Sequence, residues 1–137
     1  MAFWLFKSEP SSWSWEQQLH RGAAGEPWSG VRNFQAANNM KAMQPGDRGF
    51  FYHSVHEKRI MGIVEVMGAY RPDPTDDSGR FGLVVVKAVS ALPTPVTLAE
   101  IKANPRLSGM ALLRQSRLSV QPVTDREWNE ICRMGGL

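Results

Sequence analysis

Three short segments of the sequence place hydrogen-bonding side chains among aromatic ones. The candidates are Lys7, Ser8 and Glu9 in residues 4–10, Trp28, Arg32, Asn33, Gln35 and Asn38 in residues 28–39, and His53 and Ser54 in residues 50–54. Aromatic faces stack on a flat heterocycle such as a nucleobase, while amides and hydroxyls form hydrogen bonds with its edge. Any one segment is more typical of a packed core or a helix cap. The three together point toward a polar-lined aromatic pocket.

The sequence lacks the usual signatures of several other chemistries. It contains no GxxxxGK[ST] or GxGxxG motif for nucleotide phosphates, and no GxSxG nucleophile elbow. His53 and His56, with Glu57, could begin a metal site, but no second Cys or His pair lies at zinc-finger spacing. We therefore expect neither a bound metal nor a cofactor.

Two alternatives to a binding pocket stay open. Glu9 and His53 could serve as an acid–base pair in an enzyme that acts on a nucleotide or small molecule, although no specific spacing supports the pair. Alternatively, Trp13, Trp15 and the methionines could be exposed and dock a protein partner. Of the three classes, we expect a binding module rather than an enzyme.

The charge pattern is modestly basic. The chain has 16 Lys or Arg and 13 Asp or Glu residues, which gives a net charge of +3 at pH 7. Between Lys102 and Gln121 there are cations but no acid, and two of these cations are Arg114 and Arg117. Such a segment suits contact with a phosphate backbone, but it is equally typical of a solvated basic face.

Length and composition are those of one globular domain. With 137 residues, of which 42% are hydrophobic and 21% charged, the chain can bury a core without metal or disulfide. Cys132 is the only cysteine, so no intrachain disulfide forms. The apolar run from Ala2 to Phe6 is too short for a secretion signal or a membrane span. We expect a cytoplasmic monomer without membrane association.

Local patterns predict the main elements. Capping boxes at Ser14–Gln17, Thr97–Glu100 and Thr124–Glu127 predict three helices, and Asn33 is a suitable N-cap for a fourth over 34–43. A helical turn is predicted over 105–113, and strands over 3–7, 48–54, 59–70, 81–90 and 117–122. Five or six strands with short helices around them indicate a single α+β domain over 1–137, barrel-like rather than built of βαβ units.

A series of segments then carries a resemblance over essentially the whole chain. In order, they are WLFKSEP (4–10), WSGVRNFQA (28–36), MQPGD (43–47), FFYHS (50–54), GIVEV (62–66), AYRPDPT (69–75), GMALLR (109–114) and RLSVQPV (117–123). They resemble the EVE domain family, which includes the thymocyte nuclear protein group. The resemblance implies a PUA-like mixed β pseudo-barrel, related to the YTH and ASCH domains. It also implies a non-catalytic reader of a modified base in DNA or RNA, flipped into a pocket.

The resemblance assigns roles to the candidate residues. Trp28 or a neighbouring aromatic would stack on the base, which we expect to be a modified cytosine or similar. The remaining pocket residues would be Lys7, Ser8, Glu9, Arg32, Asn33, Gln35, Asn38, His53 and Ser54. Arg114 and Arg117, together with Arg32, would contact phosphates or close the pocket. Two departures are visible: Phe34 stands where relatives often have Tyr, and the stretch 75–81 is shorter than in many relatives.

Overall fold

The computed structural model describes all of residues 1–137. Its strands are β1 (Phe3–Ser8), β2 (Glu26–Pro27), β3 (Arg48–His53), β4 (Arg59–Val66), β5 (Arg71–Pro72), β6 (Gly82–Leu83), β7 (Val85–Thr97) and β8 (Val120–Val123). Its helices are α1 (Trp15–Arg21), α2 (Phe34–Ala42), α3 (Leu98–Ala103), α4 (Ala111–Arg114) and α5 (Asp125–Met134). Short 3₁₀ turns occupy Gly22–Ala24 and Pro105–Leu107. No helix combines the length and the apolar character that crossing a membrane requires.

Six of the strands form one curled sheet in the order β2-β7-β4-β3-β1-β8, and β5 pairs with β6 separately. β1 and β3 are parallel, whereas every other neighbouring pair is antiparallel. Because β1 and β3 run the same way, their carboxyl ends lie side by side, with Ser8 opposite His53. The half-barrel sheet with short peripheral helices confirms the predicted α+β, PUA-like architecture.

The sheet separates two hydrophobic clusters. Along β1, Trp4 and Phe6 belong to the first cluster, while Leu5 between them belongs to the second. Along β3, Phe51 joins the first cluster and Phe50 the second. This follows from the alternation of side chains across a strand. The first cluster lies beneath the candidate site.

The predicted helices are confirmed. Each of the three capping boxes forms, with the cap side chain and the return hydrogen bond both present, at the starts of α1, α3 and α5. Asn33 caps α2 as predicted. Over 105–113, two separate elements replace the single turn that was predicted, namely the 3₁₀ turn Pro105–Leu107 and α4.

The strand predictions are correct in position and wrong in extent. β4 ends at Val66 rather than at residue 70, because the backbone of Val66 bonds to Gly46 and Asp47 and the chain then leaves the sheet. β8 begins at Val120 rather than at 117, because Leu118 is held in a turn by the Gln115 carbonyl. β2 and β5, of two residues each, are not among the predicted strands.

The strand predicted over 81–90 is also wrong in extent. It is divided between β6 and β7, and β7 continues through Pro93 and Pro95 to Thr97. On one side of β7, the strand β2 pairs only with Val85 and Val86. The residues of β7 after Val86 therefore have no neighbouring strand on that side. Pro93 and Pro95 also lie in the register shift between the pairs Gly62–Ala91 and Ile60–Val96 of β4 and β7. Edges and bulges tolerate proline, which cannot donate to a ladder.

Candidate functional site

An open cavity of about 400 Å³ lies at the carboxyl end of β1. Its lining residues are Lys7, Ser8, Glu9, Ser12, Trp13, Glu26, Pro27, Trp28, Ser29, Gly30, Val31, Arg32 and Ser119. Two indole rings, several hydroxyls, two carboxylates and two cations therefore meet in one place. This combination can stack on a flat heterocycle and form hydrogen bonds with its edge.

Trp28 gives the cavity a fixed apolar surface. Its ring centroid lies 5.2 Å from that of Phe6 and 5.7 Å from that of Phe51, edge-on to both. The Trp28 backbone N–H also donates to the Val84 carbonyl at 2.8 Å. Edge-to-face contacts of this kind hold a ring in one orientation. Trp28 is 8% exposed, so the small part of the indole that reaches the cavity is preorganised.

Trp13, the second indole, is fixed from two sides. Its Nε1–H donates to Oε1 of the fully buried Gln18 at 2.9 Å. Its carbonyl accepts a hydrogen bond from Oγ of Ser8 at 2.5 Å. The Ser8 proton is thereby engaged, so the hydroxyl can act toward a ligand only as an acceptor.

Lys7 joins the end of β1 to the segment that leads into β8. Its Nζ donates to the Ser116 carbonyl at 2.6 Å, and its backbone N–H donates to the Ser119 carbonyl at 2.8 Å. Burial lowers the pKa of the Lys7 ammonium. An ammonium has three protons, so Lys7 can still donate to an acceptor on a ligand.

The two carboxylates of the lining differ in their surroundings. Glu26 lies 3.5 Å from Nε of Arg21, with which it forms an ion pair. Glu9 accepts one hydrogen bond, from Oγ of Ser11 at 3.1 Å, and forms no ion pair. Glu9 is therefore the carboxylate that can accept hydrogen bonds from a ligand.

Asp73 anchors the wall formed by residues 29–32 although it does not line the cavity. Its Oδ2 accepts from the Gly30 N–H at 2.8 Å and from Nη1 of Arg32 at 3.2 Å. Its Oδ1 accepts from the N–H and the hydroxyl of Thr75, at 2.8 and 2.6 Å. Burial opposes the charge of Asp73, but these hydrogen bonds outweigh it and lower the pKa to about 2. Gly30 adopts φ +80°, a conformation that favours glycine.

Three amides that were expected in the pocket do not line the cavity. Oδ1 of Asn33 accepts from the Ala36 N–H at 2.9 Å, so this side chain is used to cap α2. Nε2 of Gln35 donates to Oε1 of Gln115 at 2.7 Å. Asn38 lies further along α2 and is exposed. The cap of α2 and the bond to Gln115 direct Asn33 and Gln35 away from this cavity, and the binding role of the three amides stays a prediction.

His53 is likewise used inside the fold. The ring is buried, its Nε2 accepts from the Trp15 N–H at 2.9 Å, and its Nδ1 lies 3.1 Å from Oε1 of Glu57. The hydrogen bond with His53 is the main cause of the lowered pKa of Glu57. Because His53 does not line the cavity that holds Glu9, the acid–base pair considered from the sequence does not form.

Ser54 and the two basic candidates lie around the cavity rather than in it. The Ser54 N–H donates to the Ser8 carbonyl at 2.9 Å, which joins the end of β3 to the end of β1. Arg114 and Arg117 are exposed and flank Gln115, through which their segment is tied to α2. The same segment leads into Ser119, a lining residue. The phosphate-binding role of the two arginines stays a prediction.

The alternative of a protein-docking surface with exposed tryptophans fails at Trp15. Its side chain is 5% exposed and its ring lies 5.3 Å from that of Phe51. Trp13 is half-buried in the cavity lining. Of the methionines, Met40, Met43 and Met110 are buried. No group of three or more His, Cys, Asp or Glu side chains is arranged to hold a metal ion.

Several residues that line the cavity or hold its wall are not among the candidates from the sequence. Ser12, Glu26, Pro27, Ser29, Gly30, Val31 and Ser119 line it, and Asp73 anchors it. The sequence Asp73-Pro-Thr75 is typical of a turn in which an aspartate accepts from residues just after it. That pattern could have indicated a fixed loop, but not the contact with Gly30, which lies 43 residues away.

A second surface depression, of about 590 Å³, has a different character. It is lined by Arg106, Arg126, Asn129, Glu130 and Arg133, with no aromatic residue. Glu130 bonds to Nε and Nη2 of Arg133 at 3.0 and 2.7 Å. With no aromatic surface, this depression suits charged groups rather than a base.

Comparison with known proteins places the chain in a family. The model of the EVE domain matches residues 2–134, and this chain belongs to the EVE domain family, as the sequence resemblance indicated. It is 31% identical to human thymocyte nuclear protein 1, over 92% of this chain and 70% of that protein.

Two solved structures show the same fold at high similarity. The NMR structure of Rpa0253 from Rhodopseudomonas palustris is 59% identical, with a TM-score of 0.95 over 99% of this chain and 94% of that one. The crystal structure of human THYN1 in complex with DNA containing 5-methylcytosine is 27% identical. Its TM-score is 0.91, over 100% of this chain and 99% of that one.

Proposed function

We propose that this protein is a non-catalytic nucleic-acid-binding module, acting as one domain over residues 1–137, that holds a single modified base in the cavity at the end of β1. The observation that carries this proposal is a cavity of about 400 Å³ with two fixed indoles, hydroxyls and an unpaired carboxylate in its lining. Its volume is within the roughly 300–1,000 Å³ typical of ligand pockets. Membership of the EVE family, and the complex of human THYN1 with DNA containing 5-methylcytosine, support the same function.

Glu9 favours a base that carries an exocyclic amino group. A carboxylate accepts hydrogen bonds but does not donate, so it matches the amino group of cytosine, adenine or guanine and disfavours the carbonyl of thymine or uracil. Lys7 supplies a donor for a ring acceptor or carbonyl on the same base. Cytosine, the smallest of the three amino bases, leaves space for a substituent such as a methyl group.

Trp28 and Trp13 provide the apolar surface against which the base and its modification pack. Base–aromatic stacking contributes about 1–3 kcal/mol per base. Contact of one methyl group with an apolar surface adds only about 1–3 kcal/mol of preference for the methylated base over the unmethylated one. The stacking offsets the few kcal/mol required to extrude a base from a duplex. Arg32, Arg114 and Arg117 would then contact the phosphates of the strand.

The proposal is tested by measuring the affinity of Glu9→Ala and of a matched control, Glu16→Ala, for short single-stranded oligonucleotides. Both substitutions remove one exposed carboxylate, but Glu16 lies on α1 outside the cavity. The ligands carry 5-methylcytosine, cytosine or thymine at one position, in DNA and in RNA. Loss of a hydrogen bond to a charged group costs about 1.5–3 kcal/mol, so we expect Glu9→Ala to lose at least about tenfold of its affinity for 5-methylcytosine.

The wild-type protein and Glu16→Ala should prefer 5-methylcytosine over cytosine, and both over thymine. Comparison of the DNA and RNA ligands identifies the polymer. Equal affinity of the wild-type protein for all three bases contradicts base reading. Equal behaviour of Glu9→Ala and Glu16→Ala contradicts the role assigned to Glu9.

A further inference from the structure

An aromatic pair lies on the surface beside the cavity. Phe34, the first residue of α2, is 59% exposed, whereas most large hydrophobic side chains of the protein are buried. Its ring centroid lies 4.8 Å from that of Phe81, with the two planes inclined by 32°. Phe81 is 8% exposed. The buried ring therefore supports the exposed one.

The pair is held rigidly by its backbone. The Phe81 N–H donates to Oδ2 of Asp76 at 2.8 Å, and its carbonyl accepts from the Asp73 N–H at 3.2 Å. Phe34 follows Asn33, whose side chain caps α2. Since both rings are on fixed backbone and the Phe34 ring contacts that of Phe81, a ligand that orders Phe34 pays a reduced entropic cost.

The pair adjoins the cavity through Arg32. Arg32 lines the cavity, and its guanidinium carbon lies 5.8 Å from the centroid of the Phe81 ring. Hydrogen bonds to Asp73 and to the Thr75 hydroxyl hold the guanidinium in this position. A cation thus lies between the cavity and the aromatic pair.

We propose that Phe34, supported by Phe81, is a stacking platform for the nucleobase that neighbours the base held in the cavity. Arg32 contacts the phosphate between the two nucleotides. The inference rests on the proposed function, and it adds a second subsite that recognises a flanking base by its aromatic face. Every base has such a face, so the platform contributes affinity with little sequence preference.

The occupant is a nucleobase because of what surrounds the platform. An aromatic face beside an arginine is the arrangement with which proteins bind successive bases and the phosphate between them. A protein segment docked on Phe34 would require no neighbouring modified base, and the experiment separates these two cases.

The test compares two ligands that differ only in the flanking nucleotides. One is the mononucleotide 5-methyl-dCMP, and the other is a trinucleotide with 5-methylcytosine in the centre. Phe34→Ala should lower the affinity for the trinucleotide by about 5- to 150-fold, the equivalent of the stacking of one base. It should change the affinity for the mononucleotide less than twofold. Phe34→Tyr keeps the ring and should retain the affinity for the trinucleotide.

Trinucleotides with an abasic flanking position complete the experiment as a double-mutant cycle. Removal of the base that lies on Phe34 should weaken binding to the wild-type protein and leave binding to Phe34→Ala unchanged. Equal affinity of the wild-type protein for mononucleotide and trinucleotide overturns the platform alone. If Phe34→Ala loses the same factor of affinity for the mononucleotide as for the trinucleotide, the platform is likewise overturned. If the wild-type protein binds neither ligand, the proposed function fails and the platform with it.

Discussion

The carboxylate of Asp73 provides a test of how the cavity wall is held. Its side chain has no exposed surface, and each of its oxygens accepts two hydrogen bonds. An asparagine at this position turns one acceptor into a donor, which would face two donors whichever way the amide is oriented. Asp73→Asn should therefore loosen the contacts to Gly30, Arg32 and Thr75 without changing the volume of the side chain.

The pKa of Asp73 gives the size of the expected effect. It is about 2, against an ordinary value of 3.8. A difference of this size corresponds to about 2 kcal/mol of stability at neutral pH. Because the pKa is lowered in the folded state, this stability is fully present above the ordinary value and is lost as the pH falls toward 2. About half of it remains near pH 3.

The assay is urea unfolding of the wild-type protein and of Asp73→Asn at pH 7 and near pH 3. We expect the variant to be less stable by about 2 kcal/mol at pH 7 and by about half as much near pH 3. The difference in stability shrinks because a protonated Asp73, like asparagine, has a hydrogen-bond donor where the surrounding groups are also donors. A difference that is the same at both pH values, or absent at pH 7, would refute this account of the wall.

Two other substitutions test separate parts of the structure. Val55→Gly should raise the free energy of unfolding by up to about 1 kcal/mol, because Val55 is exposed and has φ +73°, where a non-glycine residue is strained; a lower melting temperature in a thermal unfolding experiment would contradict this. Arg117→Ala should weaken binding to any single-stranded oligonucleotide and reduce the slope of log affinity against log salt by about 0.7, as expected for one phosphate contact. Arg126→Ala, an exposed arginine on α5, is its control, and equal effects of the two would assign the contact to general charge.

The elements that depend on nearby residues could be predicted from the sequence. A capping box is made within four residues, so the starts of α1, α3 and α5 follow from the patterns at Ser14, Thr97 and Thr124. The extension of β7 past Pro93 could not be predicted, because it depends on which strands lie beside β7.

The candidate site shows the same division. Lys7, Ser8 and Glu9 line the cavity, because a strand end fixes the place of three consecutive residues. Asn33 and His53 carry suitable groups, but one caps a helix and the other bonds to the backbone of Trp15. A residue type indicates what a side chain can bind. The fold decides whether that capacity is already used.

The hydrogen bonds that hold the walls of the cavity were the hardest feature to predict from the sequence. Asp73 reaches Gly30 and Arg32 across more than forty residues, and Lys7 reaches Ser116 across 109. Contacts at such separation leave no periodic pattern in the sequence. These contacts depend on the three-dimensional fold, which brings distant segments of the chain together.

A crystal structure of the protein with a trinucleotide containing 5-methylcytosine would show whether the cavity beside Ser8 holds one base out of its stack. We predict electron density for the modified base in contact with Trp13 and Trp28, with its amino group at hydrogen-bonding distance from Glu9. Density for an ordered trinucleotide elsewhere, for example at the depression around Arg106 and Arg133, with the cavity filled only by solvent, would contradict the account.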